Sequence, residues 1–269
     1  MNVLEARVVL RDRTMLDVVD LAVRFIARAW RKYALLSAAV LLPALLATYA
    51  AARWAGWGWG WTLAILLSGF CAAPFTSLAS KLLFEPTAGI GDVLRSTASA
   101  LPRLVGVGIL EGLAVGFLGL MLLAPAIWPL AIFFYSNEVV VLERASVGAA
   151  IARLQRLLSG QSGDVLLALL FLTALHVVAV FLGDTVARSL LEDILEIPAP
   201  PSIFQAKGSV LALASFWIFV PFAATCRFLL YINGRTRTEG WDVQTRFAAI
   251  AARALADEAR DSISPGRAA

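Results

Sequence analysis

Three charged side chains fall inside long apolar runs, where chemistry would be most costly and most informative: Glu111, Glu138 and Arg227. An ionisable group surrounded by hydrocarbon is expensive, so it normally faces the interior of a helix bundle and finds a partner there. Glu111 lies about eight residues into its run, roughly 12 Å below the edge at ~1.5 Å per helical residue. Glu138, next to Asn137, and Arg227 lie at about four and five residues from the ends of theirs, a depth that permits pairing. A buried Glu111, Asn137, Glu138 and Arg227 cluster would suit a proton, a cation or a polar head group. The plainer alternative has Glu138 and Arg227 snorkelling to the interface or pairing to fix helix packing, with Glu111 satisfied by a neighbouring backbone.

Other chemistries are poorly supplied. His176 is the single histidine, so neither a two-histidine zinc site nor an H-E-x-x-H helix can be built, and it reads as a hydrogen-bonded structural residue. No phosphate loop of the G-x-x-x-x-G-K-[ST] type is present, which removes nucleotide-driven transport. Ser68 precedes Gly69 without the surrounding elbow of a serine nucleophile. The sequence therefore predicts no catalytic residue, no metal site and no cofactor. The cluster Trp54, Trp57, Trp59 and Trp61 could stack on a carbohydrate or lipid, and reads more simply as an interfacial anchor.

The elements that must position these residues are set by hydropathy. A mean hydropathy of +0.79 with 16% charged residues is too apolar for a water-soluble chain. Between Leu104 and Leu142 only Glu111 and Glu138 carry charge, a length that needs two crossings of ~30 Å of hydrocarbon. The fold class predicted is an all-α polytopic membrane protein with about six transmembrane helices, at 34–52, 61–83, 104–123, 125–142, 165–182 and 209–232. Apolar cores and further spans placed well beyond the first thirty-three residues argue against a cleaved signal peptide. Residues 1–33 form a cytoplasmic segment, 34–232 the membrane domain and 233–269 a cytoplasmic tail.

Amphipathic helices are expected along the cytoplasmic surface. From Thr14 to Tyr33, Asp17, Asp20, Arg24, Arg28 and Arg31 recur opposite Val18, Ala22, Ile26 and Ala29. Thr14 and Asp17 form a capping box, and Asp20 pairs with Arg24. Similar segments are read at 90–101, at 147–158 with Arg153 and Arg156 exposed, and after 242 with Val243, Phe247, Ile250 and Leu255 on one face, while a further amphipathic helix at 184–197 falls in the outer loop. In the third span Gly108, Gly112 and Gly116 recur at steps of four, a ridge on which another helix can pack closely. Three surface helices, each before a helical hairpin, suggest a threefold repeat.

With both termini cytoplasmic, every Lys and Arg except Arg53, Arg188 and Lys207 lies on the inner side, so the positive-inside rule fixes the orientation. The formal charge of +4 thereby follows membrane topology and does not call for nucleic acid. Cys71 and Cys226 both lie within spans and behave as small apolar residues.

Val139-Val140-Val141-Leu142-Glu143, followed by the basic helix with Arg153 and Leu157, and the tail from Tyr231 to Asp242 resemble a broad bacterial group. It comprises uncharacterised six-span proteins and the membrane region attached to some glycerophosphodiester phosphodiesterases. The resemblance implies a six-helix membrane module of unknown role, fits a bacterial inner membrane, and leaves open an accessory part in membrane or envelope biology. In the phosphodiesterases the chemistry belongs to a soluble barrel with metal-binding His and Glu residues, which this sequence does not supply. The expected function is a non-catalytic scaffold or accessory subunit that contacts membrane lipids and a cytoplasmic or membrane protein partner. The alternative is a transporter or channel for a small polar or lipid-like substrate using Glu111.

Overall fold

The computed structural model describes residues 14–84, 89–121, 123–206 and 208–239, and they form helices with no strand among them. The expected helix after 242 lies outside the described residues. The chain is an all-α polytopic membrane protein. Five of its helices are long and apolar enough to cross a membrane.

Helix α1 (Met15–Arg28) begins as its sequence dictates. The Thr14 side chain accepts from the Asp17 backbone and the Asp17 carboxylate accepts from the Thr14 backbone, which satisfies amides that the first turn leaves free. Arg24 pairs with Asp20 at 3.0 Å. Val18 and Ala22 are buried in protein, because α1 packs against the end of the last helix. After a break at Ala29 the chain continues as α2 (Trp30–Ala55). Gly56, at φ +94°, turns it into α3 (Trp57–Phe84), a backbone position that other residues rarely adopt.

Two expected boundaries differ. Residues 90–101 are not a separate surface helix but the first three turns of α4 (Ile90–Met121), with Pro102 inside it. Pro102 leaves the Ala98 carbonyl without its helical donor, a loss tolerated inside a membrane helix, and one residue on the Arg103 guanidinium reaches back to the Ser99 carbonyl. Likewise, residues 184–189 continue α8 (Ser162–Ser189), which ends in a π-turn at Leu190–Ile194. Gly183 does not interrupt this helix. It serves close packing, since a Cβ there would lie 2.6 Å from the Cβ of Ser215.

The run expected as a span at 125–142 is broken into α5 (Leu123–Ile132), a 3₁₀ turn at Phe133–Tyr135 and α6 (Ser136–Leu142). Its far end returns beside the start of α4, where Arg103 donates to the Arg144 carbonyl at 2.8 Å. Helix α7 (Val147–Ser159) then buries Ala150, Leu154, Leu157 and Leu158. Beyond α8 come a single turn, α9 (Ile203–Ala206), and α10 (Val210–Glu239). The expected tail thus begins inside a helix: α10 runs past Ile232 because Arg235 and Arg237 are held by Glu143 and Asp164 at 3.4 and 2.7 Å.

Helix α10 closes the bundle. The Thr48 hydroxyl donates to Ala44 O and so accepts from Trp217 Nε1 at 3.1 Å. The Thr225 hydroxyl donates to Pro221 O, which leaves its oxygen to accept from the Tyr33 hydroxyl at 2.9 Å. These two bonds, far apart in sequence, fasten α10 to α2 at both ends of the core. The three expected hairpins are dissimilar: the first is two continuous helices, the second has the broken α5–α6 limb and no separate surface helix, and the third is split by a long connection with α9. The threefold repeat is therefore not supported.

Candidate functional site

Among the described residues the charged side chain with 0% exposure is Glu138. It projects from α6 onto α3 and α10, where Thr76 donates to its Oε1 at 3.1 Å and Arg227 Nε donates to the same oxygen at 3.3 Å. Snorkelling is thus ruled out for Glu138, and the pairing alternative holds. Its Oε2 and the Nη2 of Arg227 are buried with no hydrogen-bond partner among the described residues. Asn137 is also buried, but it turns the other way and donates to the Gly69 carbonyl of α3 at 2.8 Å, near the irregularity that Pro74 introduces in that helix.

Glu111 is brought toward the cluster without joining it. It lies within electrostatic reach of Arg227, yet forms no hydrogen bond among the described residues. The expected four-residue cluster therefore resolves into a Thr76–Glu138–Arg227 unit, with Glu111 beside it and Asn137 serving helix packing. Thr76 was not singled out from sequence. Its hydroxyl gives no signal in an apolar run until the register of α3 against α6 is known.

Arg227 also forms one end of a cavity of about 520 Å³, between α3, α8 and α10 with the 3₁₀ turn and α9 closing its sides. On α8 its lining extends from Leu169 to Phe181, about 18 Å along the helix axis. Thr173, His176 and Arg227 are its polar side chains, and the others are aliphatic or aromatic. Ile65, Val177 and Phe181 on its rim are exposed, so the cleft opens sideways between α3 and α8. A volume in this range and an apolar wall with a few polar groups are the usual form of a small-molecule site.

His176 supports this wall as the structural histidine expected. Its Nε2 lies 3.1 Å from Phe216 O, and a carbonyl can only accept, so Nε2 carries the hydrogen. The ring stacks on Phe216 with centroids 4.5 Å apart. The tryptophan cluster divides by role. Trp54 is 89% exposed and Trp59 is exposed too, as interfacial anchors are, whereas Trp61 turns inward to line the cleft and meets Phe216 edge-on.

The glycine ridge on α4 does not pack as expected. A Cβ on Gly108 would touch the Phe70 ring at 3.1 Å, but at Gly112 and Gly116 it would meet nothing within 4 Å. The close approach occurs instead at Gly106, where a Cβ would lie 2.8 Å from Val147. Arg153 also departs from expectation: it is not exposed but bonds both oxygens of Glu143 through Nε, at 3.1 and 3.0 Å. Tyr231 donates to that same carboxylate and Arg235 pairs with it. Glu143 thereby joins α6, α7 and α10. Glu143 of the stretch 139–143 and Tyr231 and Arg235 of the tail stretch quoted above meet here.

Among the described residues no group of three or more His, Cys, Asp or Glu side chains could hold a metal ion. Comparison with protein-family models, with curated proteins and with solved structures returned no match.

Proposed function

We propose that this is a non-catalytic, multi-pass protein of the bacterial inner membrane, with both termini cytoplasmic, that holds a lipid-like amphiphile and passes it within or across the bilayer. The observation that carries the reading is the 520 Å³ apolar cleft ending at Arg227. An apolar tail would lie along α8 and α10, reaching the cleft sideways from hydrocarbon. A head-group oxygen would accept from Arg227 Nη2, a buried donor that has no partner among the described residues. Glu111 does not line this cleft, and the polar path that a small hydrophilic substrate needs is not what the walls provide. The likeness of 139–143 and 231–242 to envelope-protein membrane regions accords with such a role.

The test is mass spectrometry of lipids retained by the protein after extraction into maltoside micelles. One lipid class should be enriched over the bulk membrane, and Ala223→Phe, which fills the cleft, should abolish the enrichment. Retained lipid that mirrors the bulk in both proteins would overturn the reading.

A second reading, a scaffold for a protein partner, is favoured by one observation. Helix α1 is clamped to the bundle by Val18 and Ala22 while Asp20 and Arg24 face outward, so α1 presents an ordered, charged surface on which a partner could dock. A stoichiometric protein that co-purifies and is lost on Asp20→Lys/Arg24→Glu exchange would support it.

A further inference from the structure

Away from the cleft, three cations converge where the ends of α3 and α6 meet the first half of α4. Lys81, Arg103 and Arg144 line a cavity of about 140 Å³, well above the ~30 Å³ share of one water. No carboxylate lines it. Among the described residues, Glu143 is engaged by Arg153 and Arg235, and Asp92 faces Arg95 at 3.9 Å. Lys81 carries no ion pair among the described residues, an arrangement that leaves a concentrated positive site beside the membrane spans.

Val141 and Leu142 supply an apolar wall and the rest are serine hydroxyls, whose hydrogen bonds decide what they can offer. Ser96 and Ser99 donate to Val93 O and Ser96 O at 2.8 and 2.7 Å, and Ser77 lies 2.9 Å from Ser96 Oγ. Ser80 is buried, lines the cavity and has no hydrogen-bond partner among the described residues. Donors are therefore left on Lys81, on the guanidinium groups and on Ser80. Arg103 is fixed in place by its bond to Arg144 O at 2.8 Å. Arg144 itself sits at φ +52°, a conformation in which glycine is the ordinary choice. Its side chain thus stays at the cavity in spite of the backbone.

We propose that this cavity binds a phosphate group, as the phosphate of a lipid head group or as the free anion. Three converging cations with a spare hydroxyl match the charge and the several acceptor oxygens of that group. Helix ends place the site at interface depth, where both forms can reach it.

The test uses the full chain in phosphate-free maltoside micelles, with two probes. Phosphatidic acid is titrated and counted by native mass spectrometry, and inorganic phosphate is titrated by equilibrium dialysis. Wild type should bind one equivalent in at least one titration. Lys81→Gln and Arg144→Gly should each weaken binding at least tenfold, and Ser80→Ala about threefold as expected for loss of one neutral donor. Arg95→Gln, at an exposed cation, should leave it unchanged. Binding of phosphatidic acid alone identifies a head-group site; binding of phosphate as well identifies a site for the anion itself. Arg144→Gly relieves the positive φ, so it separates loss of binding from loss of folding. The proposal is overturned by no saturable binding in either titration, or by an Arg95→Gln effect as large as that of Lys81→Gln.

Discussion

At the scale of single residues, Glu138 and Arg227 form a buried ion pair inside the membrane domain. Two opposite charges taken out of water together are tolerated; one left alone is not. Glu138→Ala should therefore lower stability by about 3–5 kcal/mol, as single removals from buried pairs do. Glu138→Met combined with Arg227→Met should recover much of that loss, and a double-mutant cycle of thermal unfolding in one detergent measures the coupling. Additive single and double losses would show that the pair is not a unit. Glu111→Gln should change stability little, because the Glu111 carboxylate forms no hydrogen bond among the described residues. The sequence made Glu111, Glu138 and Arg227 visible, since charge in an apolar run is conspicuous. It could not rank them, because rank depends on helix rotation: depth alone put Glu111 first, whereas the register of α6 against α3 and α10 buries Glu138 and gives it Thr76 as well.

At the scale of elements, glycine spacing in α4 and α8 shows what periodicity can and cannot say. Steps of four in α4 mark one helix face, but the helix is apolar all round, so hydropathy does not tell which face turns inward. The structure turns Gly112 and Gly116 outward and brings Gly106 against Val147. The lone Gly183, with no periodic partner, is the glycine that lets α8 approach α10. Gly183→Ala sets a methyl group 2.6 Å from Ser215 Cβ, and separating these helices should cost about 1–3 kcal/mol, as overpacking does. Gly116→Ala meets no neighbour and should instead raise helix stability by up to about 1 kcal/mol. Unfolding temperatures of both variants in the same micelle check the pair of expectations. Destabilisation by Gly116→Ala would mean that the outward face is packed against something outside the chain. Surface segments at 90–101 and 184–189 were legible as helical but not as continuations of spans, because Pro102 and Gly183 resemble stops until their neighbours are known.

At the scale of the whole molecule, parity decides what the broken helix does. Met15 at the start of α1 and Arg237 near the end of α10 line the same small cavity, so both ends of the described chain lie on one side of the bundle. Five long helices alone would put them on opposite sides. Parity thus predicts that the path α5–α6 crosses as well, and its residues span about 30 Å at helical rise even with the 3₁₀ turn between them. Side chains accessible at each surface make this measurable in a Cys71→Ser/Cys226→Ser background. Arg24→Cys and Arg156→Cys are separated by α2, α3, α4 and α5–α6, and both should react with a membrane-impermeant maleimide only after cells are opened. Trp54→Cys and Glu192→Cys should react in intact cells. Without a crossing at α5–α6, Arg24→Cys and Arg156→Cys would label from opposite sides. The ion pairs of Glu143 with Arg153 and Arg235 argue against that outcome, since they tie α7 to the end of α10 that packs on α1.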